Sequence, residues 1–333
     1  MIKKKENLTL RPLNFTEDYD QLIPFYDLIF EQELSNKGSS VQAMMSEMKA
    51  LMPVFKFMGI FSKNYRHVFD GFVFENDRKE IVSTVNIAYS GNYWEIAMVA
   101  THPDYRRRGL AKQLIEKSLK HAKEHKAEMC VLEVLEENTP AYQLYVNYGF
   151  RHFDTKMKMK IPYEKISNLE NQELAEGYSI QKRKMDKKTS QAMYELEKLT
   201  TPDSVLEFLP VNRIKYHKPL SMRIIRPFVK LFVDIQAERW NIFHDNKLIG
   251  ILHLDFGKSE KDCHNLELLI DPNHKEKVTE QLIHYAFNQI KSKSSLNINT
   301  ITIIRKSDDY LVNTLKENGF ETFETDHILG LKF

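Results

Sequence analysis

The chain contains 333 residues, which is longer than one compact domain usually is and predicts two. Hydrophobic residues make up 42% and aromatic residues 11% of the chain, enough for a core in each half and too many for a disordered protein. The 48 Lys and Arg residues nearly balance the 46 Asp and Glu residues, and the net charge of +2 excludes the strongly basic surface of a dedicated nucleic-acid binder. We therefore expect a folded protein with no nucleic-acid partner.

Other residue patterns exclude further classes. Cys130 and Cys263 lie in different halves, so a disulfide scaffold is not expected. No run of about 18 apolar residues is present, and the basic amino terminus lacks the apolar segment of a signal peptide. His67, His102 and His121 show no metal-ligand spacing, so no metal site is predicted. Together these features predict a cytoplasmic protein without a membrane partner.

Hydrophobic periodicity divides the first half into strands and helices. In chain order, the predicted elements are a strand at 8–13, helices at 19–30 and 41–51, strands at 67–75, 80–89 and 93–101, a helix at 108–125, a strand at 130–135, a helix at 140–148 and a strand at 153–161. Gly149 follows the predicted helix at 140–148, at the position where a left-handed C-cap is expected.

The same order of elements begins again after a polar, acidic segment at 164–177, which we interpret as a linker. The predicted elements are a strand at 178–185, a helix at 189–199, strands at 239–244, 247–255 and 266–270, a helix at 274–290, a strand at 300–304 and a closing helix before Gly319. Two copies of one α+β fold, residues 1–163 and 178–333, explain this repeat. Each copy is expected to form a mixed, mostly antiparallel twisted sheet with helices on both faces.

The segment between the strand at 93–101 and the helix at 108–125 carries the most information about function. Three arginines at 106–108 precede Gly109, where the helix opens. A helix start presents unpaired N–H groups and a partial positive charge, and glycine removes the side chain that would block a phosphate from the backbone. The arginines add charge where a pyrophosphate would lie. The segment lacks the Gly-Lys-Ser/Thr of a P-loop and the glycines of a dinucleotide-binding fingerprint.

This segment resembles motif A of the GNAT superfamily of N-acetyltransferases, Gln/Arg-x-x-Gly-x-Gly/Ala, with Arg106, Gly109 and Ala111 at the defined positions. The resemblance extends over about residues 8–161 and implies two tandem GNAT-like domains, with acetyl-CoA as co-substrate and no metal. The residues that it assigns to the coenzyme are Val99, Ala100 and Thr101, which would pair with the pantetheine arm, Arg106, Arg107, Arg108, Gly109, Leu110 and Ala111, which would bind the pyrophosphate, and Asn138, which would lie where two strands splay apart.

Acetyl transfer to an amine requires a base, because a free alkylamine has a pKa of about 10.4. Glu95 is the candidate base, since every second residue from 95 to 101 is expected to share one strand face and the resemblance implies a base in this register. Tyr145 is the candidate acid, at a position where many GNAT members carry a tyrosine near the coenzyme sulfur. The Val99 N–H is the candidate donor to the thioester carbonyl. Simple surface or packing roles for Glu95 and Tyr145 remain the alternatives.

The second half lacks the residues that define the motif. Aligning Pro272 with Pro103 places Val278 at the glycine position and Glu280 at the second small position. A β-branched side chain and a carboxylate would obstruct and repel a pyrophosphate. The second half is therefore expected to be a GNAT-like domain without a coenzyme site.

The sequence thus predicts an N-acetyltransferase in the first half that acts on a primary amine of a small molecule or peptide. The amine would attack acetyl-CoA directly in a ternary complex. Two alternatives stay open: a non-catalytic CoA-binding sensor or interaction module with this fold, and an acyltransferase that uses another acyl donor.

Overall fold

The computed structural model of the protein describes residues 6–60, 63–90, 93–167, 173–216 and 236–333. The chain divides into two compact units. Unit 1 comprises Met1–His152 and His327–Phe333, and unit 2 comprises Phe153–Asp326. No helix in the described ranges is both long enough and apolar enough to cross a membrane.

The first five strands of unit 1 lie in sequence order in its sheet, with helices between them and after the fifth. Its elements are β1 (Thr9–Pro12), α1 (Phe15–Asn36), α2 (Val41–Gly59), α3 (Lys63–Arg66), β2 (Asp70–Glu75), β3 (Ile81–Ser90), β4 (Tyr93–Thr101), a 3₁₀ turn (Pro103–Tyr105), α4 (Leu110–Glu124), β5 (Met129–Leu135) and α5 (Thr139–Asn147). Neighbouring strands are antiparallel from β1 to β4, whereas β4 and β5 are parallel.

Helices cover both faces of the unit 1 sheet. On one face, α4 packs against the strands, and its buried residues recur at three- and four-residue spacing: Leu110, Leu114, Ile115, Ser118 and Ala122. On the other face, α1 and α2 form a second hydrophobic cluster with the strands. Caps define the start of these two helices, since Asn14 accepts hydrogen bonds from the first turn of α1 and Ser40 accepts one from the first turn of α2.

Unit 2 repeats this arrangement after β6 (Arg151–Ile161), most of which belongs to it. Its further elements are α6 (Tyr163–Ser167), β7 (Tyr178–Lys182), α7 (Lys187–Thr200), α8 (Asp203–Leu206), α9 (Arg213–Tyr216), β8 (Ala237–His244), β9 (Lys247–Asp255), β10 (His264–Ile270), a 3₁₀ turn (Pro272–His274), α10 (Lys275–Lys293), β11 (Thr300–Arg305), α11 (Asp309–Glu317) and β12 (Glu321–Lys332). The strand order is β7-β8-β9-β10-β11-β6, and β10 and β11 are its parallel pair. The predicted α+β fold with mixed sheets is confirmed.

The last strands of the two halves are exchanged. β6 closes the first half in sequence but pairs with β11 in unit 2, whereas the end of β12, from His327 onward, belongs to unit 1. The compact units therefore differ from the predicted ranges 1–163 and 178–333. The predicted linker at 164–177 includes the helix α6 and residues 168–172, which lie outside the described ranges. Sequence periodicity located β1 to β11 but did not predict β12, and it carries no information about which sheet a terminal strand joins.

Candidate active site

The loop between β4 and α4 presents an open helix N-terminus. α4 begins at Leu110, its N-cap Gly109 has φ 75°, and no side chain caps the helix. The first N–H groups of α4 therefore have no acceptor within the helix, and they lie at the positive end of its dipole. A Cβ added at Gly109 would meet no atom within 4 Å, so the space at this position is open. A phosphate group can bind to such a helix start.

The three arginines that precede α4 are exposed and line this loop. Arg106 Nε donates to the carbonyl oxygen of Thr101 at 3.3 Å, and Arg108 donates to the carbonyl oxygen of Asp104 at 3.0 Å. Arg107 adopts a left-handed backbone conformation, with φ 58°. The hydrogen bonds of two arginines to the main chain stabilise the loop while their positive charge stays at the helix start.

A β-bulge interrupts β4 just before this loop. Two residues of β4 oppose a single residue of β3 between the register pairs Asn86–Ala97 and Thr84–Ala100. Met98, one of the two, has φ 50°, which is unusual for a residue with a side chain. A bulge of this kind leaves one residue out of the hydrogen-bond ladder and re-aims the side chains that follow.

The bulge changes which side chains share a face of β4. Trp94, before the bulge, and Val99, after it, both contact the cluster that contains α4, whereas Ala100 contacts the cluster that contains α1 and α2. Before the bulge, the even-numbered side chains of β4 face α4, and after it the odd-numbered side chains do. The prediction that every second residue from 95 to 101 shares one face is wrong, because one extra residue reverses the alternation. The side chains of Glu95 and Val99 lie on opposite faces.

β4 and β5 separate beyond a short stretch of pairing. In these two fully described strands, parallel pairing covers three positions and ends at Ile96 and Leu132. Three predicted coenzyme-binding residues, Val99, Ala100 and Thr101, follow on β4. The backbone groups that they direct toward β5 have no partner there, so an extended ligand could pair with them as a strand would.

Tyr145 lies on α5 and is 5% exposed. Its ring packs in the hydrophobic cluster of α4 and contacts the ring of Phe150, with 6.0 Å between centroids. Burial raises the pKa of Tyr145 to about 12. The phenol therefore keeps its proton at neutral pH, as a proton donor must, and its catalytic role stays a prediction.

The two remaining predicted residues have defined positions. Glu95 is exposed on β4, in register with Ala88 of β3 and Val131 of β5. Asn138 is the N-cap of α5, and its side-chain oxygen accepts a hydrogen bond from the N–H of Ala141 at 3.3 Å. Capping explains why asparagine suits this position. A contact of Asn138 with a coenzyme stays a prediction, as does the role of Glu95 as a base.

The corresponding loop of unit 2 is replaced by helix. α10 begins at Lys275, three residues after Pro272, whereas α4 begins seven residues after Pro103. Val278, which aligns with the glycine of motif A, is fully buried within α10. Lys275 forms an ion pair with Asp308, the N-cap of α11. In the described part of unit 2, the aligned segment is therefore the first turn of a helix and not an open loop.

Sequence spacing missed a group of histidines at the far end of α4. Each of His67, His121 and His125 offers one ligand atom within 4.8 Å of those of the other two. His121 and His125 are four residues apart on a helix, and this spacing was the available signal. His67 comes from the segment before β2, so only the fold could bring it close. The prediction of no metal site rested on sequence spacing alone, and the structure places His67 beside His121 and His125.

A sequence model of the acetyltransferase (GNAT) family matches residues 42–150. This part of the chain is a GNAT acetyltransferase domain. The matched range contains the open helix start, the bulged strand and every predicted site residue, from Glu95 to Tyr145. No curated protein matches the chain in sequence.

Solved structures extend the similarity to both units. A tandem GNAT protein from the clavulanic acid biosynthesis pathway has a TM-score of 0.66 and 14% identity, with 98% of each chain covered. A GCN5-related N-acetyltransferase from Sphaerobacter thermophilus has a TM-score of 0.66 and 11% identity, with 98% of this chain and 95% of that chain covered. At these identities the likeness establishes the fold, a tandem GNAT fold, and nothing about substrates.

Proposed function

We propose that unit 1 is an N-acetyltransferase that transfers an acetyl group from acetyl-CoA to a primary amine of a small molecule or peptide. The observation that carries this proposal is the open, glycine-capped start of α4, next to the part of β4 that β5 leaves unpaired. The first can hold a pyrophosphate, and the second can pair with an extended pantetheine arm. Acetyl-CoA contains both a pyrophosphate and a pantetheine arm, so it fits the helix start and the unpaired strand together.

In the proposed complex, the backbone from Arg106 to Ala111 binds the pyrophosphate, with the three exposed arginines as counter-charges. The pantetheine arm lies along Val99, Ala100 and Thr101. Asn138, at the start of the helix that follows β5, lies near the arm. The helix cap that Asn138 makes in the structure orients its side chain without preventing such a contact.

The proposed chemistry is a direct attack within a ternary complex. A water molecule passes the amine proton to Glu95, and the neutral amine attacks the thioester carbonyl, whose oxygen accepts a hydrogen bond from the Val99 N–H. The bulge supports this last role, because Met98 and Val99 together oppose one residue of β3 and a bulge leaves one residue of such a pair out of the ladder. The carbon–sulfur bond then breaks, Tyr145 donates its proton to the leaving thiolate, and the second proton of the amine nitrogen returns to Tyr145 through water.

Unit 2 takes no coenzyme in this proposal. Its counterpart of motif A is helical, with Val278 buried where unit 1 has an exposed glycine. The intact protein is therefore expected to bind one equivalent of acetyl-CoA.

Calorimetric titration with acetyl-CoA tests the binding site. We expect Gly109→Glu to weaken binding about 100-fold or more, since a carboxylate beside a pyrophosphate costs several kcal/mol. Gly109→Ala is the matched control, because it shares the backbone strain of a positive φ and adds no charge. Equal affinity in wild type and Gly109→Glu, or two equivalents bound, would contradict the proposed site.

Tyr145→Phe separates an enzyme from a coenzyme-binding sensor. The variant keeps the buried ring and should bind acetyl-CoA with unchanged affinity. Its turnover with an amine acceptor found by screening should fall about 10²- to 10⁴-fold, the usual contribution of a positioned proton donor. Unchanged turnover would leave the tyrosine only its packing role. Profiling of other acyl-CoA donors in the same assay tests the choice of acetyl.

A further inference from the structure

Three imidazoles and a carboxylate meet at the C-terminal end of α4. His121 and His125 lie on the last turn and C-cap of α4, and their ring centroids are 4.2 Å apart. The ring of His67 lies 5.0 Å from that of His125. His121 is 11 residues from Leu110, about 17 Å along a helix that rises about 1.5 Å per residue. The cluster is therefore distinct from the proposed phosphate site.

Hydrogen bonds orient each ring through one of its nitrogens. Oδ2 of Asp70 lies 2.8 Å from Nδ1 of His67 and 3.0 Å from Nε2 of His121. Nδ1 of His125 lies 2.9 Å from the carbonyl oxygen of His121. Each imidazole thus has one nitrogen engaged by an oxygen and a second nitrogen left for a ligand. A carboxylate or carbonyl behind an imidazole is the usual support of a metal-binding histidine.

A buried aromatic side chain forms the floor of the cluster. Trp94 is 1% exposed, and its ring centroid lies 5.1 Å from that of His121 and 5.4 Å from those of His67 and His125. Packing against Trp94 restricts the three rings on one side. His67 and His121 have side-chain exposures of 17% and 18%, whereas His125 is exposed, so solvent reaches the cluster.

We propose that His67, His121 and His125 bind a Zn²⁺ ion, with Asp70 as the positioning residue that orients two of the rings. Three imidazoles suit a borderline metal such as zinc, and neither Mg²⁺ nor Ca²⁺ favours nitrogen ligands. Zinc–nitrogen distances of about 2.0–2.1 Å require nitrogens about 3.4 Å apart in a tetrahedral site. One ligand atom of each residue lies within 4.8 Å of those of the other two, so small side-chain rotations would bring the three nitrogens to this spacing.

The ion would connect two parts of unit 1 that are far apart in sequence. The ligand His67 comes from the segment before β2, and its supporting residue Asp70 is the first residue of β2. The ligands His121 and His125 come from α4. Bound zinc would therefore stabilise the packing of α4 on the sheet. The site has no direct contact with the open start of α4, so zinc binding does not depend on the proposed coenzyme function.

Calorimetric titration of the chelator-treated, full-length protein with ZnCl₂ tests the proposal. We expect saturable binding of one ion per chain and an increase in Tm with zinc, because the ion binds only the folded state. Asp70→Asn should weaken binding about 10- to 100-fold, as loss of a carboxylate behind a ligand does. His125→Ala should weaken it more. Because His125 is exposed, this variant is expected to fold as wild type does, which circular dichroism checks.

His152→Ala provides the matched control. His152 is also exposed, and its ring packs at a tilt against that of His327, with 4.4 Å between centroids, so it belongs to a separate histidine pair. Zinc affinity should be unchanged in this variant. Titration with Co²⁺ should give the visible absorption of a tetrahedral nitrogen site in wild type and lose it in His125→Ala.

The proposal is overturned by any of three results. These results are that wild type shows no saturable zinc binding, that His125→Ala binds zinc as tightly as wild type, or that His152→Ala loses zinc binding. The first result would leave the cluster as a hydrogen-bonded packing arrangement, and the last would move the site to His152 and His327. None of these outcomes bears on acetyl-CoA binding, which is measured separately.

Discussion

At the scale of single residues, a charged network ties the start of α1 to the edge of the unit 1 sheet. Arg11 on β1 contacts Asp18 on α1 and Glu75 on β2, each at 2.8 Å. The two carboxylates are nearly buried, with side-chain exposures of 4% and 6%. The guanidinium of Arg11 offsets the cost of burying the two carboxylates, because a buried charge without a partner is far less stable than one in water.

Replacement of Arg11 is therefore expected to destabilise the protein strongly. Arg11→Met leaves both carboxylates without the guanidinium, and the free energy of unfolding at neutral pH should fall by about 3 kcal/mol. Chemical denaturation measures this change. Lys79→Met is the control, since Lys79 also pairs with Glu75 but is 75% exposed, and exposed ion pairs contribute little. Equal effects of the two variants would contradict this account.

The same network predicts the direction of the pH dependence. Hydrogen bonds from Arg11 and then Lys79 hold the pKa of Glu75 below its ordinary value of 4.5. The stabilisation by Glu75 is thus complete above that value and is lost as the pH falls through the lowered pKa. The unfolding free energy of wild type should fall as the pH falls below about 4.5, and Arg11→Met should show a shallower fall. Parallel curves for the two proteins would argue against this assignment.

At the scale of elements, the close approach of β2 to β3 depends on a single glycine. A Cβ at Gly71 would lie 2.5 Å from the carbonyl oxygen of Val85 and 3.1 Å from a methyl carbon of Leu13. The first contact is with backbone, which cannot rotate away. Glycine at this position therefore allows the two strands and the residue after β1 to pack together.

Gly71→Ala should lower the free energy of unfolding by about 3 kcal/mol, at the upper end of overpacking effects, because a strand must shift. Gly250→Ala on β9 is the matched control, since its Cβ would lie 3.1 Å from the nearest backbone oxygen. We expect a clearly smaller loss for this second variant in thermal or chemical denaturation. A Gly71→Ala protein as stable as wild type would show that the strands can separate without cost.

At the scale of the whole molecule, the exchange of terminal strands makes the first half depend on the end of the chain. Leu329 is fully buried in the same cluster as α4, and the N–H of Phe333 donates to the carbonyl oxygen of Glu128 at 3.0 Å. The first 163 residues therefore lack part of the unit 1 core, although they contain the complete set of predicted site residues.

A chain that ends at Asp326 should destabilise unit 1. Loss of the buried Leu329 side chain alone costs about 2–5 kcal/mol, and β5 also loses its neighbouring strand. Hydrogen exchange should show faster exchange in β5 and α4 than in β8 and β9 of unit 2. A chain that ends at Leu331 is the control, because it removes only Lys332 and the partly exposed Phe333. Unchanged exchange in β5 after the longer truncation would contradict this dependence.

Local signals in the sequence determined much of the secondary structure of this protein and the conformation of the loop before α4. The spacing of apolar residues predicted α4 and the repeat of elements in two halves, because a helix that packs on a sheet must keep one face apolar. Gly109 and the arginines before it predicted the open helix start, because this conformation depends on adjacent residues. The resemblance to motif A predicted the family that residues 42–150 match, and it is the basis of the proposed coenzyme.

Tertiary structure decided the features that arise between distant segments. The bulge at Met98 depends on the pairing of β4 with β3, and it moved Val99 to the face opposite Glu95. The cluster of His67 with His121 depends on the packing of α4 on the sheet. The exchange of β6 and β12 depends on which sheet edge each strand meets. Periodicity records only which side of an element is buried, and the partner that buries it is set by contacts between residues far apart in the chain.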